Sequence, residues 1–363
     1  MSETTPGRES KGKTLRERLP ALLRRNKIFL MLIVIIAVMP LWANPISKPL
    51  GIDIVYVMRM VGVFTIIAVG LNLLMGYAGQ ISLGHGAFFG VGAYTSALLT
   101  VKAGLPVWLG LILAMVVAAL MGLLVAPILR LKGHYLAMAT LGLGIIAFVF
   151  FRELVWLTNG NDGVRGIPDL AVPGMSITTR EGEYLFVWIL ALVILALCSN
   201  LVRSREGRAM KALRHSEVAA EAMGINVSWH KIKVFMFSAA LGGLAGGIFA
   251  HLQGYIDPGS FSIMLSIELV IMVVVGGMES IWGAVAGAGV IVFLPEVIEA
   301  LPKWLGDVPH WVERYSLYEG ILFGLILILT MIFMPSGITK GLSDMIRYRR
   351  SPFINPFRRK GVE

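Results

Sequence analysis

Asn72, Gln80, Ser82 and His85 place amide, hydroxyl and imidazole groups inside an apolar, glycine-rich stretch. It reads Gly70-Leu-Asn72-Leu-Leu-Met-Gly76-Tyr-Ala-Gly79-Gln80-Ile-Ser82-Leu-Gly84-His85-Gly86-Ala-Phe-Phe-Gly90-Val-Gly92-Ala-Tyr94. The chemistry open to these groups is hydrogen bonding at or near membrane depth, where an unpaired polar group is costly. Six glycines lie between Gly76 and Gly92. Each weakens a helix by about 1 kcal/mol relative to alanine, and each permits close helix approach or local unwinding. Broken helices beside polar groups are how many transporters build a pathway. A small-residue helix interface with locally satisfied polar groups is the competing reading. We take the four residues as candidate pathway residues.

A second group lies in the loop 203–231, which reads Ser204-Arg-Glu-Gly207-Arg208-Ala-Met-Lys-Ala-Leu-Arg214-His-Ser216-Glu217-Val-Ala219-Ala220-Glu221-Ala-Met-Gly224. Ser204 and Ser216 suit helix N-caps, and Gly224 suits the left-handed position that ends a helix. Two short amphipathic helices are expected here, and a short helix docking into a partner's groove is a common recognition mode. Two lone charges, Arg59 and Glu268, fall inside apolar runs. Both are expected about 8–10 Å below the outer helix ends. An isolated charge there is expensive, so the two are expected to pair, directly or through a polar group, the alternative being that each snorkels independently to the headgroups.

Other chemistries find little support. Gly7-Arg-Glu-Ser-Lys-Gly12-Lys13-Thr14 matches the phosphate-loop pattern letter for letter, but only six polar residues precede it and the buried strand such a loop requires is missing. The single cysteine, Cys198, excludes an intrachain disulfide or a multi-thiolate metal site, and the six histidines show no metalloprotease spacing. Without paired carboxylates or a nucleophile–base set, the chain reads as a transport subunit that binds no metal or cofactor of its own.

The elements that must hold these residues are apolar. Of 363 residues, 56% are hydrophobic and 15% charged, and the mean hydropathy is +0.78. A soluble core cannot absorb that surplus, whereas lipid can. Runs long enough to cross a membrane occupy 28–43, 52–75, 81–101, 106–130, 134–157, 184–202, 232–252, 263–278, 281–301 and 315–334. Between and beyond them sit 24 of the 32 Lys and Arg residues, in the tail up to Lys27, the turn 130–132, the loop 203–233 and the tail after Met334. Ten alternating spans put all four basic regions on one side, the cytoplasmic one. The expectation is an all-α polytopic protein with a basic tail over 1–27, a transmembrane domain over 28–334 and a second basic tail over 335–363. Both termini then face the cytoplasm. The net charge of +10 is placed for anionic lipid rather than nucleic acid. The motif G-A-x-x-G-x-G occurs at 86–92 and again at 283–289, a hint of internal repetition.

From about residue 52 to 335 the chain resembles the LivM-type permease subunit of branched-chain amino acid ABC importers. The likeness rests on the segment 70–94, on Leu131-Lys-Gly-His-Tyr135-Leu-Ala-Met-Ala-Thr140-Leu-Gly, and on Thr158-Asn-Gly160-Asn-Asp-Gly163. It extends through the Glu206-Gly-Arg-Ala run to Gly224, and through Gly254-Tyr-Ile-Asp-Pro258 and Val275-Gly-Gly-Met-Glu-Ser280. The stretch 218–224 resembles the coupling loop of ABC permeases, with Val218 where a glutamate is usual, and Glu279 stands where the family tends to have glycine. The resemblance implies a permease of the bacterial inner membrane that works with a LivH-type second permease, two cytoplasmic ATPase subunits that use the ATP, and a periplasmic substrate-binding protein. It leaves urea or short-chain amides as alternative cargo. An ion-coupled secondary transporter is the rival class, and it would call for ionisable groups at midplane.

Overall fold

The computed structural model describes residues 51–305 apart from 173, 174 and 178, together with 36, 39, 47, 324, 325, 328, 329, 332 and 337–339. Asp53 opens helix α1 (Ile54–Asn72) by accepting a hydrogen bond from the Tyr56 amide. The helix widens into a π-turn, Leu73–Tyr77, and then gives way to irregular chain over 78–84. Gly76 permits that widened turn, since a Cβ there would overlap the Asn72 amide oxygen. Gly79 follows at a φ of 70°. Helix α2 (His85–Val101) starts only after Gly84, later than the apolar run suggests.

Helix α3 (Val107–Leu124) ends in a 3-10 turn, Ala126–Arg130, and leads to α4 (His134–Glu153) and the short α5 (Val155–Thr158). The next loop carries three two-residue strands, β1 (Val164–Arg165), β2 (Ala171–Val172) and β3 (Met175–Ser176). Thr179 caps α6 (Arg180–Arg203). Then follow α7 (Arg205–His215), α8 (Glu217–Ala222), α9 (Val227–Gln253), β4 (Tyr255–Ile256), α10 (Ile263–Gly276) and α11 (Ile281–Leu305). β2 pairs with β3 as a hairpin, and β1 pairs antiparallel with β4, Val164 opposite Ile256.

Helix α1 runs through the centre, flanked by α6, α9 and α11, and α9 lies along α2 and α3. Small residues set these close crossings, as expected where apolar lipid gives helices no solvent-driven reason to associate. A Cβ on Gly92 would collide with the Gly243 backbone, and one on Gly246 with the Phe89 carbonyl. Gly283 and Gly287 likewise sit against the backbone of α10. Both copies of the G-A-x-x-G-x-G motif thus contribute glycines to helix crossings.

The outward faces of α3, α4 and α6 stay apolar, with Leu120, Leu124, Ile145, Phe150, Ile189 and Leu197 exposed. Such continuous apolar surface suits contact with lipid rather than water. Eight of the ten sequence runs fall among the described residues, and each contains a helix. Six of these helices are long and apolar enough to cross a membrane. The other two are shorter: α2 has 17 residues and α10 only 14. At 1.5 Å per residue α10 reaches about 21 Å, short of the roughly 30 Å hydrocarbon layer. The run 263–278 is the shortest of the eight, and Gly277, at a φ of 111°, ends the helix within it. The runs 28–43 and 315–334 and both basic tails lie outside the described residues apart from isolated positions.

Candidate coupling and translocation site

The irregular segment 78–84, the turn after α3, the helices α7 and α8 and the turn 277–280 meet at one end of the bundle. The β1–β4 pair and the start of α6 mark the other, so the described helices alternate in direction. The first end is rich in Lys and Arg.

There Ser204 caps α7 by accepting from the Gly207 amide at 3.4 Å, and Ser216 caps α8 by accepting from the Ala219 amide at 3.2 Å. Gly224 closes the pair at a φ of 80°. Both caps and the left-handed glycine match the sequence reading. Gly207 sits where a Cβ would overlap the Val202 carbonyl at the end of α6. Arg208 reaches back to the Arg203 carbonyl at 3.5 Å. Ala220 is buried with Leu213 and Val227, whereas Ala219 and Glu221 face outward.

Two ion clusters fasten these helices to the bundle. Glu217, at the first position of α8, accepts from Lys132 at 3.2 Å and also pairs with the buried Lys231 of α9. Burial raises the Glu217 carboxyl, but the hydrogen bonds and charges of the two lysines outweigh that and hold it below the usual carboxylate range. Arg214, at the end of α7, pairs with Glu279 and donates to the Gly76 carbonyl. Lys211 lies over the Tyr77 ring, 5.7 Å from its centre. A crevice of about 320 Å³ opens between the clusters, lined by Gln80, Lys132, Arg214, Glu217 and Lys231 among others.

The four candidate pathway residues lie close by, and all are buried. Asn72 donates to the Ser280 carbonyl at 2.7 Å and accepts from the Glu279 amide at 3.3 Å. The Tyr77 hydroxyl donates to the Glu279 carbonyl. Gln80 lines the crevice and reaches the Lys231 carbonyl at 3.5 Å, while its Oε1 has no partner among the described residues. His85 bridges Ser82 at 2.9 Å and Ser238 of α9 at 2.7 Å. Its ring packs edge-on against Phe88 and Phe235. Ser266 of α10 accepts from the Gly86 amide at 3.0 Å, and Thr140 of α4 accepts from the Leu83 amide at 3.0 Å. The broken segment is therefore tied to α4, α9, α10 and the turn 277–280.

At the opposite end of the bundle Arg59 is buried, and its direct ion pair is with Glu183 rather than with Glu268. The sequence reading placed Glu183 in the loop before the sixth run. Thr179 starts α6 one turn earlier, which carries Glu183 into the bundle beside α1. Glu268 lies half-buried on α10. Arg180 pairs with Asp53 at 2.9 Å beside this site. His251 adds a further link at this end, with Nε2 2.8 Å from Ser96 and Nδ1 donating to the Pro168 carbonyl at 2.7 Å. Glu183, Arg214 and His251 were missed because their partners lie far away in sequence, and Lys231 because its pairing with Glu217 depends on how α8 folds back on α9. For Glu183, Lys231 and His251 the signal available was a charge or imidazole at the end of an apolar run.

The chain is similar to known transport proteins over most of its length. It is 32% identical over 338 residues to the high-affinity branched-chain amino acid transport system permease protein LivM of Salmonella typhimurium, covering 86% of this chain and 75% of that one. The LivM protein of Escherichia coli is 31% identical over the same shares. LivH of Escherichia coli is 26% identical over 304 residues, 76% of this chain and 90% of that one. No solved structure matches the chain. Residues 53–331 match the family described as branched-chain amino acid transport system / permease component, and with its apolar spans and glycine-set crossings the chain belongs to that family as a multi-pass membrane protein.

Proposed function

We propose that this chain is a permease subunit of an ABC importer that carries branched-chain amino acids across the inner membrane. It pairs with a LivH-type second permease, receives cargo from a periplasmic binding protein and is driven by two cytoplasmic ATPase subunits. The observation that carries this reading is the form of the cytoplasmic loop. Its two capped helices are fastened to the bundle by Glu217 and Arg214, yet Val218 and Met223 stand out from it at 74% and 81% exposure. Apolar side chains held outward on a braced surface at the cytoplasmic end suit a partner's groove. Asn72, Gln80, Ser82 and His85 border the pathway in this reading, holding the broken segment 78–84 whose movement opens it.

The test is co-expression with the candidate partners. V218K/M223K keeps the caps and the ion clusters, so the chain should insert normally while the ATPase subunits are lost on purification and leucine uptake disappears. A double variant that retains its ATPases and full uptake sinks the docking assignment. Uptake of urea or a short-chain amide in place of leucine by the intact complex overturns the cargo.

A further inference from the structure

Glu279 adopts a φ of 69°, one of two left-handed backbone conformations at non-glycine residues among those described. A Cβ makes that conformation unfavourable, and glycine would hold it without penalty. What the side chain contributes instead is its ion pair with Arg214. Arg214 belongs to the cytoplasmic helix α7, whereas Glu279 belongs to the turn between α10 and α11. The same guanidinium donates to the Gly76 carbonyl, in the π-turn where α1 breaks. The π-turn and the 277–280 turn are themselves joined through Asn72 and Tyr77. Thr339 donates to the Gly276 carbonyl at 2.6 Å, bringing a residue of the later chain onto the end of α10 beside this turn. Gly79, at a φ of 70°, lies flat on the Arg214 side chain, where a Cβ would come within 3.1 Å of it.

We propose that Arg214 and Glu279 are positioning residues for transport. They carry the displacement of the cytoplasmic helices into the broken end of α1 and the α10–α11 turn at once. The Glu279 side chain is 46% exposed and that of Arg214 30%. A half-exposed ion pair contributes little to stability. Its place in a rigid, two-ended connection gives it leverage on coupling instead. The inference rests on the importer reading above and adds the route by which work leaves the docking loop.

The test uses the whole importer reconstituted in vesicles, with substrate-stimulated and basal ATP hydrolysis measured alongside uptake. E279G suits the left-handed turn and leaves the Lys132–Glu217–Lys231 cluster to brace the docking loop, so insertion, assembly and basal hydrolysis should match the wild type. Uptake per ATP hydrolysed should fall by about five- to tenfold, at the low end of ordinary coupling between sites. R214Q should fall at least as far, and R214Q/E279G no further than R214Q. Wild-type coupling in E279G, effects that multiply in the double variant, or failure of E279G to assemble would each overturn the proposal. A wild-type chain that recruits no ATPase would instead sink the importer reading.

Discussion

Arg59 of α1 and Glu183 of α6 form an ion pair between two buried side chains, so the N-terminal parts of these helices are locked by charge inside an apolar bundle. Arg59 also lies over the Tyr56 ring, 5.6 Å from its centre. Removing one partner leaves the other charge buried and unpaired, which is the costly case for a buried ion pair. E183Q should lower stability by about 3 kcal/mol, and R59M/E183L should recover most of the loss. Thermal unfolding of the detergent-solubilised protein decides this. An E183Q melting curve equal to the wild type would mean that Arg59 reaches the headgroups without its partner.

The Glu217 cluster makes a prediction about pH. Because the folded carboxyl titrates below its usual range, its contribution is complete above the ordinary carboxylate pKa and is lost only as pH falls through the lower folded value. Amide exchange in α8 should therefore not change between about pH 8 and pH 5 on account of this group, with protection falling below that window. E217Q should be less protected near neutrality and should show no such acid-side loss. Loss of protection confined to pH 6–7 in the wild type would contradict the assignment.

The His85 bridge should be sensitive at either end. S238A removes the hydroxyl at 2.7 Å from Nε2 and leaves a fully buried ring nitrogen without its partner. A loss of about 1–3 kcal/mol is expected from an orphaned buried polar group. S82A should cost a similar amount, and uptake by either variant should fall more than its melting temperature indicates if the segment 78–84 moves during transport. Unchanged stability in both would show that water replaces the lost hydroxyl.

Two glycine-to-alanine changes should differ in sign. Gly246 on α9 faces the Phe89 carbonyl with no room for a methyl group, so G246A must push α2 and α9 apart. Overpacking of this kind costs about 1–3 kcal/mol or more. Gly142 on α4 has no neighbour within 4 Å at its Cβ position. There G142A should be neutral or stabilise the helix by up to about 1 kcal/mol. A G246A protein as stable as the wild type would show that the crossing can relax.

The amino-acid sequence by itself determined the solvent, the class and most of the helices. Apolar runs of fixed length can be satisfied only by lipid, and serine caps and a left-handed glycine act within a few residues of chain. Segment 203–224 was legible for that reason, since Ser204, Ser216 and Gly224 need only local geometry. The tertiary structure decided which groups meet. Arg59 chose Glu183 because Thr179 starts α6 early, and Arg214 reached both Gly76 and Glu279 because the turn 277–280 folds under α1. It also decided that His85 lies between Ser82 and Ser238, which neither the glycine pattern nor the hydropathy contains. The Arg59–Glu183, Arg214–Gly76 and His85–Ser238 contacts join positions more than a hundred residues apart. Their existence depends on how helices are rotated and how far they extend, and shape complementarity at the small-residue crossings sets both.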